Sequence, residues 1–109
     1  MAAKKFPQQG EVWWVNLDPT IGKEISKRRR CLIVSPDVMN SQLGTVIAAP
    51  ITSTQRDWPT RVLVSLQRKT SSVALDQIRM LDNQRLIKKI TKVNVEPALV
   101  VLREMFAKP

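Results

Sequence analysis

Each apolar run in this chain is stopped within a few residues by a proline or a turn residue, and that punctuation constrains the fold more than any other feature. Glu11-Val12-Trp13-Trp14-Val15-Asn16-Leu17 is rich in β-formers and ends at Asp18-Pro19-Thr20, a turn signal. Cys31-Leu32-Ile33-Val34 runs apolar without a break until Ser35-Pro36, the pattern of a strand buried on both faces. Residues 45–51 are similar, entered from Gly44 and carrying Pro50. Proline donates no ladder hydrogen bond, so that end is expected at an edge or a bulge. Arg61-Val62-Leu63-Val64 alternates, and residues 73–75 with 78–81 read as one bent strand or two short ones. Near the C-terminus the period changes. Asp82 can cap a short turn over 83–87, and Asn94 can cap a helix with Pro97 in its first turn, where a missing N–H costs little. Val95, Ala98, Leu99, Leu102, Met105 and Phe106 then repeat at helical spacing as one stripe. The expectation is one domain over 1–109 with a loose basic arm at 1–9. Its fold is mainly β with helices: five or six short strands in a strongly bent sheet or partly open barrel.

Charge narrows the function. Lys and Arg number 18 against 9 Asp and Glu, a net charge of +9, with a sequence pI near 10.5. Such an excess points to a polyanionic partner, nucleic acid first and anionic membrane second. No stretch approaches the ~20 apolar residues of a membrane span. Lys4 and Lys5 are not followed by the apolar region of a secretory signal. The single Cys31 makes no intramolecular disulfide, which suits a reducing cytoplasm. With no histidine, thiolate–imidazole zinc sites and Ser–His or Cys–His nucleophiles are excluded. Acid–base work then falls to carboxylates, Arg, Lys or hydroxyls, and neither a metal nor a cofactor is expected.

Five constellations carry the candidate chemistry. Residues 22–30 read as a loop in which Lys23, Lys27, Arg28, Arg29 and Arg30 surround Glu24. This is either a phosphate-binding loop of arginine forks or a solvated one. Thr52 and Ser53, where an apolar strand stops, either bond a phosphate or mark a plain strand exit. Asp76 and Gln77 interrupt an apolar segment, as in a bulge that aims polar groups into a groove. There Gln77 would read a base edge and Asp76 would accept from an arginine of the loop; the alternative is a turn with a structural ion pair. Trp13 and Trp14 must point to opposite faces of their strand, so one of them lies outside the core, and Trp58 faces the same choice between packing and base stacking. The basic run Arg85, Lys88, Lys89 and Lys92 reads as solvation or steering.

Taken in order, these pieces resemble the MazF/PemK toxins. The resemblance starts with Gly10-Glu11-Val12-Trp13-Trp14-Val15-Asn16-Leu17-Asp18-Pro19-Thr20 and continues through Gly22, Glu24 and Arg29 to the apolar strand ending Ser35-Pro36. Pro50-Ile51-Thr52-Ser53, the run from Val73 through Asp76-Gln77-Ile78-Arg79, Asp82 and Arg85-Leu86 follow in the family's order. Arg30 stands where the family often has proline, and Ala74 where some relatives carry an arginine before the Asp. The resemblance implies a small SH3-like barrel of five to seven short strands plus a C-terminal helix. It also implies a homodimeric, metal-independent endoribonuclease cutting single-stranded RNA, the toxin of a toxin–antitoxin pair. Glu24, Arg29 and Thr52 match the family's catalytic positions. Ser53, Asp76 and Gln77 match positions near its RNA groove, with Lys23, Lys27, Arg28 and Arg30 as further RNA contacts. The implied partners are RNA, a small acidic antitoxin from an adjacent gene, and operator DNA only as the toxin–antitoxin complex. Two alternatives stay open: a CcdB-like gyrase poison on the same fold, and a non-catalytic nucleic-acid-binding module.

Overall fold

The computed structural model describes residues 6–109. The arm expected over 1–9 lies outside the described residues as far as position 5, and its remainder is not loose. Pro7 is buried, the Gln8 amide donates to Glu11 Oε1 (2.7 Å), and Gln9 Nε2 donates to the Val34 carbonyl (2.8 Å). Gly10 completes the anchor at φ 89°, its N–H on the Ile33 carbonyl and its carbonyl accepting from Val93.

Seven strands follow: β1 (Glu11–Asn16), β2 (Arg28–Ile33), β3 (Thr45–Thr52), β4 (Arg61–Leu66), β5 (Lys69–Ala74), β6 (Arg79–Asp82) and β7 (Leu86–Lys92). Helix α1 (Asp37–Leu43) precedes β3 and α2 (Glu96–Met105) closes the chain. The sheet runs β4-β5-β3-β2-β1-β7 with β6 also on β3, every pairing antiparallel. This half-barrel with a C-terminal helix is the expected fold class.

Strand β3 bends the sheet. Its residues 45–48 pair with β6, and Ile51 and Thr52 pair with β5 on the same side. Pro50 falls in the gap between those two partners, while β2 pairs the other side at Cys31. It is therefore neither at an edge nor in a bulge: the strand is central, and the missing N–H sits where no neighbour needs it. Buried side chains of β1, β2 and β3 fall on both faces of the sheet. Val12, Leu32, Ala49 and Ile51 join one core, against which Val95, Val101, Leu102 and Met105 of the C-terminal segment pack. Val15, Cys31, Ile33, Val46 and Ala48 join the other, with Trp13 beside it. Burial pushes the Cys31 thiol up to about 12.

Three local expectations change, and helix α1 has no counterpart among them. Helix α1 has no apolar stripe, since Asn40 is its buried residue and Val38 is 68% exposed. Gly44, read as a strand entry, is its left-handed C-cap at φ 65°. The short turn expected over 83–87 is a 3-10 turn over Asn83–Arg85 only, and from Leu86 the basic run lies on strand β7. Its pairing with β1 slips between Val12 and Trp13 and again between Trp14 and Val15, leaving Ile90 and Ile87 as the unmatched residues. Two such bulges erase the alternation that marks a strand. Phe106 leaves the stripe of α2 and is 73% exposed. Asn94 does cap the helix, its Oδ1 accepting from the Glu96 amide at 3.1 Å. Asp82 likewise accepts from the Gln84 amide at 2.8 Å. Among the described residues no helix is long and apolar enough to cross a membrane.

Candidate active site

The chain between β1 and β2 has few apolar residues to fold by, so it is held by polar ties. The Leu17 amide donates to the Lys27 carbonyl (2.9 Å), and the Lys27 amide donates to Asp18 Oδ1 (2.8 Å). At the middle of the loop a side chain from across the sheet intervenes. Gln77 Oε1 accepts from the Ile25 amide (2.7 Å) and its Nε2 donates to the Lys23 carbonyl (3.2 Å). The two residues flanking Glu24 are thus clamped by one amide. Glu24 itself is exposed, with Oε1 accepting from the Ile21 amide at 2.9 Å.

Asp76 and Gln77 occupy a one-turn 3-10 helix, Leu75–Gln77, rather than a bulge. The turn lies between β5 and β6 and presents both side chains to the loop's side of the sheet. Asp76 does not accept from the β2 arginines. It takes Arg61 Nε at 2.7 Å and Nη2 at 3.2 Å, plus the Thr60 hydroxyl at 3.0 Å. Partial burial alone would raise the Asp76 carboxyl. The Arg61 hydrogen bond, its own backbone and Thr60 outweigh that and hold it below the ordinary aspartate value. The structural ion pair, one of the two sequence readings, is present.

Three depressions gather the candidate residues. The first, about 410 Å³, is walled by Lys23, Glu24, Asp76, Gln77 and Arg79. The second, about 380 Å³, shares Lys23, Ile25, Asp76 and Gln77 with it and adds Thr52, Arg56, Trp58 and Arg61. The third, about 240 Å³, holds Trp14, Arg28, Arg29, Arg30 and Ser53. Neighbouring Thr52 and Ser53 therefore open into different depressions. Arg28, Arg29 and Arg30 are not in a loop: they form the first half of β2, opposite Asn16, Val15 and Trp14. Strand geometry spaces their guanidinium groups, with Arg29 Nε on the Ser26 carbonyl (3.2 Å) and Arg30 Nη2 on Ser71 Oγ (3.4 Å). Glu24 and Arg29 share none of these three depressions; the Ser26 contact ties Arg29 to the loop that carries Glu24. Lys27 is exposed at φ 68°.

Sequence reasoning missed three arginines of the site, Arg56, Arg61 and Arg79. Arg79, which donates to the Leu17 carbonyl at 3.2 Å, lines the Glu24 depression. Arg61 lies against Trp58, and only its place beside a tryptophan-bearing loop hinted at that role. Among the described residues no group of three or more His, Cys, Asp or Glu side chains is placed to hold a metal ion.

A bent half-barrel bearing a clamped carboxylate, a strand-end hydroxyl and a bank of arginines defines a class of small basic proteins equipped to handle a phosphodiester. The family model of the PemK-like, MazF-like toxins of type II toxin–antitoxin systems matches residues 8–105, and the chain belongs to that family. The endoribonuclease EndoA of Bacillus subtilis is 34% identical over 95 residues, covering 82% of each chain. The crystal structure of MazF from Deinococcus radiodurans superposes with a TM-score of 0.76 at 29% identity, covering 93% of each chain. A MazE–MazF crystal structure from the same organism gives 0.70 at 27% identity, covering 91% of this chain and 90% of that one.

Proposed function

We propose that this protein is the toxin of a type II toxin–antitoxin pair and an endoribonuclease that cleaves single-stranded RNA through its own 2′-OH. Membership of the toxin family carries the reading, and EndoA, an endoribonuclease, supports the reaction. Glu24 takes the proton from the 2′-OH, whose oxygen attacks the adjacent phosphorus. The bond from phosphorus to the 5′ oxygen breaks, that oxygen takes up a proton, and the products are a 2′,3′-cyclic phosphate and a 5′-OH. Arg29 neutralises the charge that grows on the phosphorane and supplies the leaving-group proton, and Thr52 holds the phosphate. Arginine charge serves where other nucleases use a cation, so cleavage proceeds in EDTA.

The strand runs over both sides of the 23–27 loop, with Lys23, Lys27, Arg28, Arg30 and Ser53 neutralising its phosphates. Gln77 and Asp76 act on the RNA indirectly, through the loop and through Arg61. The protein works as a single domain over 1–109 and as a homodimer in the cytoplasm. It is held in check by an acidic antitoxin from the adjacent gene and meets operator DNA only within that complex. The MazE–MazF structure supports a protein inhibitor, and the net charge of +9 supports an acidic one.

Variants test the roles. Arg29→Ala lowers cleavage by about 10²–10³-fold with the fold retained. Loss of activity in Arg28→Ala or Arg30→Ala, with Arg29→Ala active, would reassign the cation. Glu24→Gln flattens the acidic limb of the pH–rate profile, and an unchanged limb excludes it as the base.

A further inference from the structure

Trp58 is 48% exposed, in a loop where nothing requires a large ring to face solvent. Two guanidinium groups lie over it, with Arg61 Cζ at 4.7 Å and Arg56 Cζ at 5.1 Å from the ring centroid. The two arginines are held differently. Arg61, its side chain 7% exposed, is fixed by its ion pair with Asp76 and props the ring from within the protein. Arg56 is exposed, and no carboxylate of the described residues pairs with it. The ring and Arg56 open into the depression that also holds Thr52 and Lys23.

We infer that Trp58 and Arg56 form a nucleobase subsite: the indole stacks one unpaired base of the RNA while Arg56 takes the adjoining phosphate. This rests on the proposed ribonuclease function and adds a place where the strand is gripped beside the phosphate that Thr52 holds. A propped aromatic ring is a stacking platform because every base offers a π-face, and an exposed guanidinium beside it neutralises the backbone. The Arg61–Asp76 pair is a positioning element here, since the ion pair with Asp76 fixes the nearly buried Arg61 under the ring. A grip of this kind strengthens binding of the whole strand and leaves the chemistry at Glu24 and Arg29 untouched.

The test uses an uncleavable 2′-O-methyl single-stranded RNA of mixed sequence, with binding read by fluorescence anisotropy of an end label. Cleavage of the matching unmodified RNA is measured in parallel. Trp58→Ala is expected to weaken binding roughly 5- to 150-fold, the range for one stacked base, and Trp58→Phe to recover most of it. Arg56→Gln is expected to weaken binding at low salt and to lower the salt slope by about 0.7, one phosphate's worth. An abasic residue at the stacked position should weaken binding to the wild type and add nothing to Trp58→Ala. Equal affinity of Trp58→Ala, Arg56→Gln and wild type, with the wild type cutting RNA, overturns the subsite and spares the ribonuclease. A wild type that neither binds nor cuts RNA overturns both. If Trp58→Ala fails to fold, Arg56→Gln and the abasic probe on wild type decide the matter.

Discussion

Replacing Gln77 with alanine removes both ties that bracket Glu24, the one from the Ile25 amide at 2.7 Å and the one to the Lys23 carbonyl at 3.2 Å. Each intramolecular hydrogen bond contributes about 0.5–1.5 kcal/mol net, so the docked loop loses about 1–3 kcal/mol. At 1.4 kcal/mol per tenfold, its docking equilibrium falls by about 5- to 150-fold. If Glu24 acts only from the docked loop, kcat/KM for a short RNA falls by up to that factor. The effect on the loop is visible without substrate. The Ile25 amide should exchange its hydrogen faster in Gln77→Ala by a similar factor, while amides of β3 keep their protection. Gln77→Glu keeps an acceptor for Ile25 but sets a carboxylate against the Lys23 carbonyl, and should fall in between. Unchanged exchange at Ile25 would refute the clamp. Unchanged kcat/KM alongside faster exchange would show that Glu24 does not need the docked loop.

Asp76→Asn should cost about 1–3 kcal/mol, since it strips the nearly buried Arg61 of a charged partner. The folded Asp76 value is lowered, so its stabilisation is fully present above the unfolded value of about 3.9 and is lost as pH falls through the folded one. Denaturant melts at pH 7 and below pH 3 should therefore show the wild type's advantage over Asp76→Asn shrinking with acid; a constant gap refutes it. Cys31, buried and pushed up to about 12, should react with a thiol reagent at pH 8 only as fast as the protein unfolds, and prompt labelling of the native state would contradict its placement. Gly10→Ala should destabilise by about 1–3 kcal/mol, because φ is 89° and a Cβ there would stand 2.9 Å from the Val93 carbonyl oxygen; a neutral melt would refute this.

Much of the architecture was legible because it rests on burial. The unbroken run of residues 31–34 has the pattern of a strand covered on both faces, and both cores meet there. The elements that escaped lack a period to read. Strand β7 is interrupted by two bulges, and α1 buries an asparagine on Ser35 instead of an apolar stripe. Within the site, residue types were readable and their partners were not. Asp76 looked like a mate for the arginines of β2, yet strand β4 brings Arg61 to it across the β4–β5 pairing, where Arg61 lies opposite Ala74. Gln77 looked free to read a base, but both ends of its amide are used by a loop more than 50 residues earlier in the chain. Such pairings depend on strand register and on turns of the sheet, which composition does not encode.

RNA cleavage through the 2′-OH at a site with no histidine is tested most directly by the ends of the fragments. The purified protein is incubated in EDTA with a mixed-sequence single-stranded RNA, and the fragment ends are mapped. The same sequence is tested with a single 2′-deoxy residue placed 5′ of the cut. Discrete fragments ending in 2′,3′-cyclic phosphate and 5′-OH are expected, with no cutting at the 2′-deoxy position and loss of cutting in Arg29→Ala. Intact RNA would contradict this mechanism, as would cutting that persists at the 2′-deoxy position.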